Sequence, residues 1–298
     1  MSDERATIRP VTLSRLVELT HACEDGDKTT EDFETALDVS HRRARETVLE
    51  AKRIDLLDER ESDDDSYYGT TAIGEAFLEA IRDENWQQVS SILATRSPHY
   101  GTFLEVLEQL EPTDLDTLLE CLEENQKYTP YSFNQTGIEV VGDWAERLGR
   151  VQRNAFTGSY YLTSQSSIPD NFPFVVLDAY DHLEQTAGVD LRQRYLSIPQ
   201  LREEVCERIG CSRAGFNEAL VALCQQNVGK LELSGAPMDT EAKDSALGIK
   251  RISVADEGTL VSTSQSTQQV MSGVELYDKQ YYYLAVHDRE VTFHQEDT

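Results

Sequence analysis

Phosphate binding is the chemistry that the basic side chains of this sequence are spaced to do. Residues 39–54 hold Arg42, Arg43, Arg45, Lys52 and Arg53 against two carboxylates, with His41 beside them. Arg147, Arg150 and Arg153 recur every third residue with no acidic residue among them. Arg192, Arg194, Arg202, Arg208 and Arg213 bracket a third segment, and Lys250 and Arg251 lie further along it. Guanidinium and ammonium groups collected on one surface fix a protein on a nucleic-acid backbone. The DNA-contact set expected on this basis is Arg42, Arg43, Arg45, Arg53, Arg147, Arg150, Arg153, Arg213, Lys250 and Arg251. Each cluster also fits a solvated helix face whose arginines pair with nearby carboxylates, as Arg42 would with Glu46 four residues on. Tyr281, Tyr282 and Tyr283 have faces for base stacking, but tyrosines among branched residues read first as sheet core, as do Tyr160 and Tyr161.

Catalytic signatures are absent. The sequence has no GxxxxGK[ST] loop, no GxGxxG after a strand, no HExxH and no GxSxG, and its six histidines are scattered. With 55 carboxylates, acidic pairs arise by chance and carry no information. A metal-dependent nuclease would need several of them to converge with a lysine in one pocket, a grouping that leaves little local trace. The five cysteines form no CxxC pair and no zinc spacing with histidine; Cys206, Cys211 and Cys224 are expected as small core residues on two packed helices. No metal and no cofactor is expected, and the chain is read as a non-enzyme.

Length and charge set the frame for these residues. At 298 residues the chain is long enough for two or three cores, and the 39% of hydrophobic residues include no run near the roughly 18 a membrane helix requires. The N-terminus lacks the basic, apolar and small-residue sequence of a secretory signal, so a cytoplasmic protein is expected. The formal net charge is −28, and the cations divide into 20 Arg and 7 Lys. Core-forming residues recur throughout, so the acidity belongs to the surface of packed modules rather than to a disordered chain. An acidic, lysine-poor composition of this kind resembles that of haloarchaeal proteins, which implies a surface adapted to concentrated salt.

The elements that must position the basic residues repeat in order. Leu13, Leu16, Val17 and Leu19 mark a first helix; Thr29 and Thr30 cap a second over Glu31 to Leu37; Ser40 precedes a third, HRRARETVLEAKRIDLL, carrying Ala44, Val48, Ala51 and Leu56 on one face. An acidic hairpin-like loop, DERESDDDSYYGTTA, follows, and then two or three helices. A second pass reads YGTFLEVLEQL and TDLDTLLECLEEN as helices, the latter capped by Pro112 and Thr113. A further helix opens at Gln135, and a β-hairpin turns at Thr157-Gly158. Pro169 and Pro173 suggest a boundary or helical connector over 166–190. In the third pass RYLSI is a short strand, Pro199 and Gly210 bound a helix, and Ser212 caps FNEALVALCQQN. GKLELSG and GIKRISV then pair as a hairpin. KQYYYLAV and REVTFH are two further β-like runs around a turn at His287-Asp288.

Helix, short helix, tight turn, helix, hairpin is the order of a winged helix-turn-helix module. Thr71, Gly74, Phe77 and Leu78 resemble the residues that lead out of the wing in many archaeal winged-helix domains, a resemblance that covers residues 10 to 85. The expected fold is mainly α with short β-hairpins, as three tandem winged-helix-like modules over 1–98, 99–190 and 191–298. The expected function is non-catalytic binding of double-stranded DNA, as a transcriptional regulator or a DNA-engaging subunit of a larger complex. The competing class is a protein-interaction scaffold docking subunits of a larger complex through its winged helices, for instance in a system that handles foreign or mobile DNA. No membrane partner is expected.

Overall fold

The computed structural model describes residues 6–62, 65–110, 112–125, 127, 129–163, 168–186, 195–235, 252–253, 260–261 and 270–294. Among them the chain is mainly helical with short antiparallel hairpins. It divides into two compact units, residues 1–151 with 250–264 and residues 152–249 with 265–298, a coarser grouping than three successive segments.

The first unit starts with α1 (Leu13–Ala22), which buries Leu13, Leu16, Val17 and Leu19. Helix α2 (Thr30–Leu37) is fixed at its start by a reciprocal cap: Asp32 N donates to Thr29 Oγ1 (3.2 Å), and Thr29 N donates to the Asp32 carboxylate (2.9 Å). Asp38, in the left-handed conformation (φ 49°), ends it, and α3 (His41–Arg53) follows after two residues. Ser40 sits at the α3 N-cap but makes no side-chain cap bond. Strands β1 (Leu57–Ser62) and β2 (Asp65–Thr70) pair antiparallel in full register, and Lys28 joins the outer side of β2 by exchanging two backbone bonds with Tyr68 (3.0 and 2.8 Å). The described residues of the stretch read as an acidic loop are therefore mostly the two strands of this hairpin.

Helices α4 (Ala72–Arg82), α5 (Trp86–Arg96) and α6 (Pro98–Gln109) continue the unit. Thr71 caps α4 by accepting from Gly74 N (3.0 Å), while Phe77 and Leu78 are buried. Helix α7 (Leu115–Asn125) is capped by Asp114, which accepts from Thr117 N at 2.9 Å; the cap expected at Thr113 moves one residue on because a carboxylate is the stronger acceptor for free helical N–H groups. Helix α8 (Gln135–Arg147) is capped by Asn134, and its Trp144 is buried with Nε1 donating to Val11 O (2.9 Å).

The unit boundary falls inside β3 (Val151–Arg153), which pairs with β4 (Tyr160–Leu162) around Gly158 (φ 79°). Within residues 166–190, expected as a boundary or helical connector, Phe172–Thr186 form the helix α9, with Phe172, Val176, Ala179 and Tyr180 in the core. Pro173 lies in its first turn, where a missing N–H costs nothing, so the proline marks a helix start rather than a break. Strand β5 (Leu196–Ser197) leads into α10 (Ile198–Ile209), Gly210 closes that helix in the left-handed conformation, and Ser212 caps α11 (Arg213–Gln226).

Strand β6 (Leu231–Ser234) corrects the expected hairpin. Among the described residues it does not pair with the GIKRISV segment, of which Ile252–Ser253 form β7 against β8 (Leu260–Val261). Its partner is β11 (Tyr283–Val286), which lies between β6 and β5 and buries Leu284 and Ala285 completely. KQYYYLAV is not one run but two, because β10 (Lys279–Tyr281) turns back on β9 (Val274–Leu276) before β11 begins. REVTFH forms no strand; Thr292 is held instead by the amide of Asn227, which accepts from Thr292 N (2.8 Å) and donates to Thr292 O (2.6 Å). No helix among the described residues is long and apolar enough to cross a membrane.

Candidate nucleic-acid interface

Helix α3 separates its residues by chemistry. Ala44, Thr47, Val48 and Ala51 recur at three- and four-residue spacing and are buried, which turns Arg42, Arg43 and Arg45 outward. Arg42 makes one long contact with Glu46 (3.4 Å) while its side chain remains 88% exposed. Among the described residues, Arg43 and Arg45 have no carboxylate within ion-pair distance. His41, at the start of the same helix, bonds the carboxylate of Glu34, and Lys52 near its end bonds Glu59, whose pKa is lowered chiefly by that bond.

Arg53 does not belong to this face. Its side chain is only 7% exposed and pairs with fully buried Glu50, which also receives Arg9 N (3.2 Å) and the Arg9 guanidinium (3.5 Å). Burial pushes the Glu50 carboxyl up, against the pull of Arg53 and Arg9. A guanidinium enclosed in this way cannot reach a phosphate, so Arg53 is a structural residue.

The second group disperses. Arg147 is buried in α8 and forks onto Asp143 (2.8 and 3.2 Å), Arg150 is half-buried in the turn after the helix, and Arg153 is exposed on β3. The Arg153 guanidinium lies over the Tyr160 ring (5.2 Å to its centre) and donates to Gly158 O (3.3 Å), so it is held along its own hairpin. Tyr160 and Tyr161 are core residues, as the branched pattern suggests.

The third group contains the clearest correction. Arg213, at the start of α11, is buried and forks onto Glu203 of α10 (2.6 and 2.7 Å), with a further bond to Arg153 O (2.7 Å). The partner lies ten residues earlier, across a helix end and a turn, so helical spacing could not have named it. Arg202 is fully buried, donating to Asn217 Oδ1 (3.0 Å), Ser272 O (3.1 Å) and Val270 O. Lys250 and Arg251 lie outside the described residues.

Around the open depression bounded by Lys52, Asp55, Asp58 and Glu59, the carboxylates are already committed. Asp55 pairs with Arg96 (2.9 Å), Asp58 with Arg60 (3.7 Å) and Glu59 with Lys52. Among the described residues no three His, Cys, Asp or Glu side chains form a group that could hold a metal ion.

No family model matches the sequence, and no curated protein matches it. The chain is similar to a solved structure described as "Magnesium ion-bound SspB crystal structure", at 16% identity over 78% of this chain and 81% of that chain, with a TM-score of 0.40. Likeness at that level carries no argument about fold or activity here.

Proposed function

We propose that this chain binds double-stranded DNA without catalysis, as a regulator or as the DNA-engaging subunit of a larger assembly, and that it does so through α3. The observation that carries the reading is the exposed, uncommitted pair Arg43 and Arg45, flanked by Arg42, on one outward face. Two strand orders support a winged-helix reading of the elements around it. In the first unit α1, Lys28, α2, α3, β1 and β2 follow in sequence with Lys28, β2 and β1 side by side. In the second, α9, β5, α10, α11, β6 and β11 follow with the order β5-β11-β6. In both, the third strand sits between the first and second, as a winged helix requires, which makes α3 and α11 the groove-facing helices. The succession α6, α7, α8, β3, β4 runs in the order of a further such module, although the boundary of the two compact units falls inside its β3.

The three passes are not equivalent in charge. The basic residue that opens α11 is neutralised by Glu203, and Arg147 of α8 by Asp143, so among the described residues neither of these two helices carries cations as free as those of α3. Burial of those arginines favours a docking role for these two modules, with DNA engaged by the first. The acidic surface repels phosphate at low ionic strength, and concentrated salt relieves that repulsion.

Anisotropy of labelled duplex DNA, measured across a KCl series up to molar concentration, tests the reading. Binding is expected to saturate. In Arg42→Glu/Arg45→Glu the affinity falls and the slope of log K against log salt becomes shallower by roughly 2. Folding stability of the double variant stays within about 1 kcal/mol, since exposed charges contribute little. Absence of binding at every salt concentration, or a double variant that binds like the parent, would overturn the proposal and leave docking as the function of all three modules.

A further inference from the structure

Cys206 and Cys211 lie on either side of the turn between α10 and α11, and their sulfur atoms are 3.6 Å apart. Cys206 is in the last turns of α10 and fully buried; Cys211 follows Gly210, whose φ of 64° reverses the chain, and is 3% exposed. The sulfurs are already in contact, so a bond between them requires a shift of about 1.5 Å rather than a rearrangement of the helices. The salt bridge from Glu203 to Arg213 spans the same turn and holds both ends in place.

We propose that Cys206 and Cys211 form a site of reversible oxidation, converted by a two-electron oxidant of the peroxide class to a disulfide across the α10–α11 turn. Cys211 reacts first. Its thiolate attacks one oxygen of hydrogen peroxide, breaking the O–O bond; it becomes a sulfenic acid, and the other oxygen leaves as hydroxide, which takes up a proton to become water. The Cys206 sulfur then attacks the Cys211 sulfur, and the sulfenic hydroxyl departs as a second water with the Cys206 proton. The two sulfurs give up two electrons, and the peroxide is reduced to two waters. The order follows from the surroundings: its hydrogen-bonded contact with Cys206 lowers the pKa of Cys211, whereas burial raises that of Cys206. The other thiols are placed differently. Cys23 donates to Tyr68 O (3.5 Å) and Cys224 is buried, each with its pKa pushed up to about 12 by burial, and Cys121 is half-buried on α7.

The test uses the folded full-length chain treated with hydrogen peroxide, quenched, unfolded in the presence of an alkylating reagent and digested with trypsin without reductant. Cleavage at Arg202, Arg208 and Arg213 puts the two cysteines on separate peptides, 203–208 and 209–213. The expected result is a linked pair of these peptides, a fall in free thiols from the five of the sequence to three, and recovery of five with dithiothreitol. The same link is expected in Cys121→Ser, which removes the half-buried thiol. The proposal is overturned if the peptides stay separate, if the lost thiols are those of Cys23, Cys121 or Cys224, or if the link forms only after the chain has been unfolded.

Discussion

His99 is a neutral imidazole enclosed beside charge. Its Nε2 donates to Ala6 O (3.0 Å) and Ser132 O (3.2 Å), its ring packs against Tyr131 and Phe133, and its Nδ1 has no hydrogen-bond partner among the described residues. Burial, reinforced by the Arg53 charge, lowers its pKa to about 4. In the unfolded chain the group titrates near 6.5, so between about 6.5 and 4 the unfolded state binds the extra proton. The stability due to the neutral ring is therefore complete above about 6.5 and is lost as the pH falls toward 4, by up to about 3 kcal/mol. Glu50 shifts in the opposite direction, so the measurement is a comparison: denaturant unfolding from pH 7 to 5 should give a shallower loss for His99→Gln than for the parent chain. Equal slopes would mean that the imidazole is not protonated on unfolding. The same neighbourhood shows where reading the sequence stopped. Spacing located Arg53, Arg147 and Arg213 as cations on helices, and Glu50 and Asp143 lie on the same helices as the first two, but burial by tertiary packing is what removes all three from the surface, and of the three carboxylates only Glu203, the partner of Arg213, comes from another helix. Only Arg42, Arg43 and Arg45, whose opposite helix face is patterned Ala44, Thr47, Val48 and Ala51, could be assigned to the outside from sequence.

Among the elements, α4 shows how a short motif encodes a packing constraint. Thr71, Gly74, Phe77 and Leu78 have distinct tasks: a cap, a close approach and two core contacts. A Cβ on Gly74 would run into the backbone oxygen of Leu56 and lie 2.8 Å from Thr70 Cγ2, so the glycine lets the helix start lie against the end of α3 and the β1–β2 hairpin. Gly74→Ala gains about 1 kcal/mol of helix propensity yet introduces an overlap with backbone, which cannot rotate away. A net loss of about 2 kcal/mol is expected in equilibrium unfolding; a more stable variant would refute the close approach. Helices were legible in this chain because caps and apolar spacing act locally: α1, α2 and α6 start and end near where those signals lie, and α3 and α8 start there too, although both stop at Arg53 and Arg147, short of the apolar residues up to Leu57 and Val151 that the spacing adds to them. Strand pairing was not. Leu231–Ser234 bonds a strand some 50 residues on because Tyr283–Val286 brings fully buried Leu284 and Ala285 to the core, whereas the nearer GIKRISV segment has only a two-residue described strand, paired elsewhere. Alternation identifies a strand without naming its neighbour.

Across the molecule the charge is uneven. The first compact unit carries 17 basic against 36 acidic residues, and the second 10 against 19, so mutual repulsion is greater in the first. The buried pairs Arg53–Glu50 and Arg213–Glu203 are shielded from solvent ions, while exposed carboxylates are screened over a distance that shrinks to about 3 Å at 1 M salt. Added KCl therefore stabilises by relieving surface repulsion more than it weakens these internal pairs. Both tryptophans, Trp86 and Trp144, lie in the first unit, and Trp144 is completely buried there, so indole fluorescence reports that unit alone. From about 0.1 M to 2 M KCl its thermal midpoint should rise by roughly 4–8 °C, equivalent to about 2 kcal/mol for a unit of this size. Second-unit unfolding, followed by the circular dichroism that remains after the fluorescence change, should move less. Equal shifts would trace the effect to the general influence of salt on apolar burial, which acts on both cores alike, and would remove charge repulsion as the reason. A larger shift in the first unit means that the unit presenting Arg42, Arg43 and Arg45 is also the one most dependent on screening, so the salt that the proposed approach of α3 to a phosphate backbone requires is also the salt that holds its unit together.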